Sequence, residues 1–72
     1  MHVFKQSTGL APYQYVIERR LKRAQVLLTE TDLPIVEVCL RVGFTSQSHF
    51  TLLFRKRVGM TPKVYRKANR GV

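Results

Sequence analysis

Residues 34–58 read PIVEVCLRVGFTSQSHFTLLFRKRV. Pro34 is compatible with the first position of a helix, where a missing N–H costs nothing. Ile35, Val38, Cys39 and Val42 then recur at 3–1–3 spacing, which makes one apolar face of a short helix over 34–42. Glu37 and Arg41 stand four apart on its outside and can pair. The β-branched content alone would allow a strand, but the spacing and the following Gly43 favour a helix. Residues 43–45 form a tight turn, because glycine takes a positive φ without steric cost. Ser46 is placed to cap a second helix over 47–58. A short helix, a tight turn and a second helix are the parts of a helix-turn-helix, in that order. Gly43 by itself would serve equally as a C-cap in any helical bundle.

The two faces of the second helix carry more weight. At about 100° per residue, Phe50, Leu53, Phe54 and Arg57 gather on one side, and the first three are large and apolar. Gln47, Ser48, Thr51 and Arg55 gather on the other. Glutamine suits adenine, serine and threonine suit several bases, and arginine suits guanine or phosphate. The basic run Arg55-Lys56-Arg57 closes the helix. A polar front that reads bases and a basic rear that holds the backbone is the layout of a recognition helix in the major groove. An ordinary solvated face is the plainer alternative.

Working outward, residues 12–30 predict one helix of about 28 Å at 1.5 Å per residue. Tyr13, Ile17, Leu21, Ala24 and Leu28 share a face, with Arg19, Arg20, Lys22 and Arg23 mostly away from it. Glu18 and Lys22 are spaced to pair. Thr29 to Leu33 form the loop before Pro34, which pushes Leu33 out of the helical region. A last short helix starts at Thr61-Pro62, with Thr61 as cap, and frays near Asn69. Phe4-x4-Gly9-x2-Pro12-x2-Tyr15 returns 50 residues later as Phe54-x4-Gly59-x2-Pro62-x2-Tyr65. The chain thus reads as one complete helix-turn-helix and the tail of another. No strand pattern, low-complexity segment or interdomain linker stands out.

Seventy-two residues allow one small domain with a marginal core. Thirteen Lys+Arg against four Asp+Glu give a net charge of +9, which suits a polyanion partner. An anionic membrane competes weakly, and no run approaches the ~20 apolar residues that span a bilayer. Cys39 is the only cysteine, so no intrachain disulfide or cysteine zinc cluster can form, which fits a reducing compartment. The first residues do not form a signal peptide. His49 and His2 lack further ligands at metal spacing, so His49 is read as a phosphate contact or a half-buried ring. No catalytic constellation, phosphate loop or paired carboxylates appear, and the chain is not read as an enzyme.

These motifs resemble a known family. Residues 35–44, Ser48-His49-Phe50, Phe54-Arg55-Lys56, residues 59–62 and Tyr65-Arg66 look like the second helix-turn-helix of AraC/XylS-type transcription regulators. Arg20-Leu21-x2-Ala24-x2-Leu27-Leu28 resembles the family's connecting helix, and Phe4 to Tyr15 the end of its first helix-turn-helix. The resemblance implies two recognition helices in successive major grooves, and a separate effector-sensing or dimerisation domain not contained in this chain. It implies Arg at the position of Leu52, where leucine can offer only an apolar contact such as a thymine methyl. It also implies a small core residue at Cys39, where alanine is commoner.

The expected fold is all-α: a homeodomain-like three-helix unit packed on a long connecting helix. The expected organisation is the tail of a first, truncated helix-turn-helix at 1–11, the connecting helix at 12–30, and the complete second helix-turn-helix with its C-terminal helix at 31–72. The expected function is sequence-specific duplex-DNA binding as the C-terminal part of a transcription regulator, an activator, in the bacterial cytoplasm and nucleoid. Gln47, Ser48, Thr51 and Leu52 are the expected base readers. Ser46, His49, Arg55, Lys56, Arg57, Lys63 and Arg66 are the expected backbone contacts, with a structural role open for Arg66. Lys67 and Arg70 are either phosphate contacts or solvated. No cofactor or metal is implied. The alternative is a protein-interaction module that contacts RNA polymerase or another regulator and reads little DNA.

Overall fold

The structure, a computed structural model, describes residues 12–70; the tail expected at 1–11, with Phe4 and Gly9 of the repeat, lies outside the described residues. Four helices follow one another: α1 (Pro12–Glu30), α2 (Ile35–Arg41), α3 (Gln47–Val58) and α4 (Pro62–Arg70). No strand occurs among the described residues. α2 is one residue shorter at each end than the sequence pattern predicts. Pro34 has an extended ψ of 153° and caps the helix, while its carbonyl accepts from the amides of Glu37 and Val38 at 2.9 and 3.1 Å. That ψ lies outside the helical region, so Pro34 is the N-cap and the helix begins one residue later.

The core is built by one stripe from each element. Ile17, Leu21, Ala24 and Leu28 come from α1, Val38, Cys39 and Val42 from α2 and its end, Phe44 from the turn, and Phe50 and Phe54 from α3. Ring contacts run through its centre. Phe44 and Phe50 lie 5.2 Å apart, Phe50 and Phe54 5.7 Å, and Phe54 meets Tyr65 of α4 edge-on at 5.5 Å. Tilted and edge-to-face pairs of this kind add about 0.5–1.5 kcal/mol each beyond their burial. Tyr13, expected on the buried face of α1, is 61% exposed. The stripe is buried only from Ile17 onward, where α2, α3 and the turn supply the other half of the core.

The turns are defined by their hydrogen bonds. Gly43 has φ +106°, its amide bonds to the Leu40 carbonyl at 3.1 Å, and the Phe44 amide bonds to the Cys39 carbonyl at 3.0 Å. This crossed pair is a Schellman motif, and it carries Phe44 back into the core beside Cys39. The Cys39 thiol in turn donates to the Phe44 carbonyl at 3.8 Å. Burial pushes this thiol up from its ordinary pKa, as expected of a core residue that stays neutral. Ser46 takes extended dihedrals and its Oγ accepts from the His49 amide at 3.2 Å, so it caps α3. Gly59 closes α3 at φ +99°, and Thr61 caps α4 by accepting from the Val64 amide at 3.3 Å.

Candidate nucleic-acid interface

α3 is amphipathic because Phe50 and Phe54, four residues apart, are fully buried while the opposite side stays open. On that open side, Gln47, Ser48, Thr51, Leu52 and Arg55 line one concavity of about 530 Å³ together with Thr61. Thr51 is half-buried and the other four α3 residues are exposed. Leu52 is 63% exposed. An apolar side chain left so open forfeits the ~25 cal/mol per Å² that burial would return. It therefore projects from the same surface as the polar residues, and nothing in the core calls for it.

The expected backbone contacts divide into two groups. Ser46, His49, Arg55, Lys56 and Lys63 are exposed around the concavity and on the adjoining helix ends. The His49 ring stands edge-on to Phe44 at 6.0 Å, which holds it beside the N-terminus of α3. Arg55, Lys56 and Arg57 occupy the last turn of α3, where cations complement the helix dipole.

Arg57 and Arg66, also among the expected backbone contacts, have partners within the chain. Arg57 pairs through its NH1 with Oε2 of Glu18 on α1. Glu18 thus reaches across to α3 instead of along its own helix to Lys22, because Arg57 emerges on the core-facing side with Phe50 and Leu53. Arg66 donates from Nε to the Leu28 carbonyl at 2.9 Å and from NH2 to the Thr31 carbonyl at 3.2 Å. Arg70 donates to the Thr31 carbonyl at 3.0 Å and to Oδ1 of Asp32 at 2.7 Å. Leu28 and Thr31 lie at the end of α1, where carbonyls lack intrahelical partners. Arginines on α4 supply them, and so dock α4 against α1.

A family model for a helix-turn-helix domain matches residues 1–68. The probable transcriptional regulator LumQ of Photobacterium leiognathi is 41% identical over 63 residues, covering 88% of this chain and 25% of its own length. The transcriptional activator RhaR of Cronobacter sakazakii is 37% identical over 65 residues, covering 90% and 23%. Among solved structures, the AraC-type regulator of Chromobacterium violaceum superposes with a TM-score of 0.86 at 40% identity, covering 97% of this chain and 62% of that one. The chain belongs to the AraC-type family of helix-turn-helix transcription regulators. The DNA-binding domain of AdpA, solved in complex with a target DNA, matches with a TM-score of 0.89 at 39% identity, covering 96% of this chain and 62% of that one. The chain spans about a quarter of the length of the curated AraC-type relatives above.

Two residues of this AraC-type chain lie at or beside the site without having been singled out for it. Thr61 was legible as a helix cap, yet the bend between α3 and α4 also brings it to the concavity beside Thr51 and Leu52. Arg20 was grouped with the outward cations of α1. Its guanidinium instead lies 5.8 Å from the Phe44 ring centroid, over the turn that leads into α3. A long side chain can lay its stem along apolar surface while its charged head stays wet. Among the described residues no group of His, Cys, Asp and Glu is arranged to hold a metal ion, and no helix is long and apolar enough to cross a membrane.

Proposed function

We propose that this chain binds duplex DNA sequence-specifically, with α3 in the major groove, as the DNA-reading part of a transcription regulator. The observation that carries this is the gathering of Gln47, Ser48, Thr51, Leu52 and Arg55 on one open concavity, opposite the buried Phe50 and Phe54. The AdpA domain, solved with its target DNA, adds support from a related fold. Gln47, Ser48 and Thr51 meet base edges, and Leu52 meets a thymine methyl. Ser46, His49, Arg55, Lys56 and Lys63 meet phosphates. Arg57 and Arg66 serve chiefly to hold α3 and α4 against α1. The regulator works in the bacterial cytoplasm on the nucleoid, and activates transcription as RhaR is named for doing.

Selection of binding sites from a random duplex library tests this reading. The expected result is one enriched motif, bound more tightly than its scrambled version at every salt concentration. Uniform, salt-labile binding to all duplexes would overturn sequence-specific recognition. It would leave contact with RNA polymerase or another regulator as the better account.

A further inference from the structure

A second concavity, of about 310 Å³, lies between α1 and the end of α2, lined by Arg19, Arg20, Arg23, Arg41, Val16 and Val42. Four guanidinium-bearing residues line it and no carboxylate does. Arg41 has a weak outward partner in Glu37, at 3.6 Å and with both side chains about half exposed or more. Arg19 lies 5.8 Å from the Tyr15 ring centroid and donates to its hydroxyl at 3.3 Å, contacts that orient the cation without neutralising it. Arg23 is exposed and has no ion-pair partner among the described residues. Like charges that converge on one concavity raise one another's energy, and a polyanion relieves them. Guanidinium forks suit phosphate geometry better than a point charge does.

The position of this concavity matters as much as its charge. Arg20 connects it to the turn: a Cβ on Gly43 would stand 2.8 Å from Arg20 Nε and 3.0 Å from its Cζ. Arg20 and His49 lie against the same ring, Phe44, and Phe44 is two residues from the N-cap of α3. Arg20 thus places one edge of the arginine concavity beside Phe44, the ring that also carries His49 near the N-terminus of α3. A duplex whose major groove receives α3 has one backbone running past that end of the helix.

We propose that the α1–α2 arginine groove is a phosphodiester-binding surface that clamps the DNA backbone beside the N-terminal end of α3. The proposal rests on the DNA-binding reading above. The ligand is a run of regularly spaced phosphates, since the groove is open and its four cations spread over two helices. A single free anion could satisfy only part of it.

The test uses the 72-residue chain, its selected duplex, and a series of duplexes in which one phosphate at a time is a neutral methylphosphonate. The expected result is that two or three neutralised phosphates, flanking the base-read positions on one side only, each weaken wild-type binding several-fold. Arg23→Gln should be insensitive at one of them, and its slope of log K against log salt should be shallower by about 0.9. Arg19→Gln combined with Arg23→Gln should flatten the slope by about 1.8, with base preference unchanged. Glu30→Gln, a charge change at the far end of α1, is the control for long-range electrostatics and should keep every methylphosphonate effect. If Arg23→Gln retains the full wild-type methylphosphonate profile and slope, the groove proposal is wrong while DNA binding stands. If the wild-type chain selects no duplex, both fall. Should the same arginines instead bind an acidic peptide, the wild-type methylphosphonate scan alone, with no flanking sensitivity, rejects the phosphate assignment even where a variant fails to fold.

Discussion

Arg66 of α4 donates from Nε to the main-chain carbonyl of Leu28 in α1, at 2.9 Å, although the two residues are 38 apart in sequence. The same guanidinium reaches the Thr31 carbonyl at 3.2 Å. One side chain thus satisfies the open end of the longest helix and fixes the last helix against it. A charged donor is well chosen here, because hydrogen bonds to charged groups are worth more than neutral ones, and cations favour helix C-termini.

Replacing Arg66 by alanine removes both bonds. The site is half-buried, so the expected loss is about 1–2 kcal/mol. For a domain of this size that corresponds to a fall in Tm of very roughly 4–16 °C. The salt slope for DNA should not change. A slope shallower by about one phosphate, with an unchanged melting temperature, would return Arg66 to the DNA-contacting set.

Gln47→Ala and Lys56→Ala separate reading from holding. Gln47→Ala should cost about 1–3 kcal/mol, confined to one base position, and leave the salt slope alone. Lys56→Ala should weaken all sequences alike and flatten the slope by about 0.9. Titrations against the selected duplex and its single-base variants distinguish the two patterns. An unchanged base preference in Gln47→Ala would count against the proposed reading face.

Leu52 is open to solvent in the reading concavity. Leu52→Arg should therefore leave folding stability within about 0.5 kcal/mol. A new cation there should tighten DNA binding and steepen the salt slope by up to about one phosphate equivalent. Thermal melting and titration at several salt concentrations measure both quantities. Binding that stays equally salt-dependent would place residue 52 off the DNA surface.

Gly43→Ala strains the backbone and displaces a side chain. The backbone sits at φ +106°, where an L side chain is strained, and the new Cβ would meet Arg20 Nε at 2.8 Å. The left-handed strain alone costs about 1 kcal/mol or more. Arg20 must also leave its place over the turn. The same substitution at Gly59 meets no atom within 4 Å, so only the backbone term remains there. Denaturant melts should show comparable losses for the two variants, since the flexible Arg20 head can swing aside, and only Gly43→Ala should also weaken DNA binding.

Cys39 is sealed in the core, and burial raises the pKa of its thiol. An alkylating reagent should label it only as fast as the chain opens, since the reactive species is the thiolate. The group is an acid whose folded pKa lies above its unfolded one. It thus costs no stability at neutral pH, but the unfolded chain gains by ionising once pH exceeds about 9, and stability should fall from there upward. Melting curves of wild type and Cys39→Ala between pH 7 and 11 check this, because the alanine variant should lack that part of the alkaline decline.

The sequence by itself determined the helices and their faces. Proline placed the starts of α1 and α4 and glycine the end of α3, since one has a φ preset for a helix and the other tolerates positive φ. Apolar spacing then singled out Leu21, Leu28, Val38, Phe50 and Phe54 as core, because a helix turns about 100° per residue whatever surrounds it. The polar front of α3 was legible by subtraction from that same count. What only the tertiary structure decided are the partners of the long cations. Arg57 met Glu18, Arg66 met the end of α1, and Arg20 lay across Gly43. Periodicity fixes the direction in which such a side chain leaves its helix, but not where its far end comes to rest. An arginine head lies several rotatable bonds from its backbone, and its partner is supplied by an element tens of residues away. Only the packing of the four helices brings the two together.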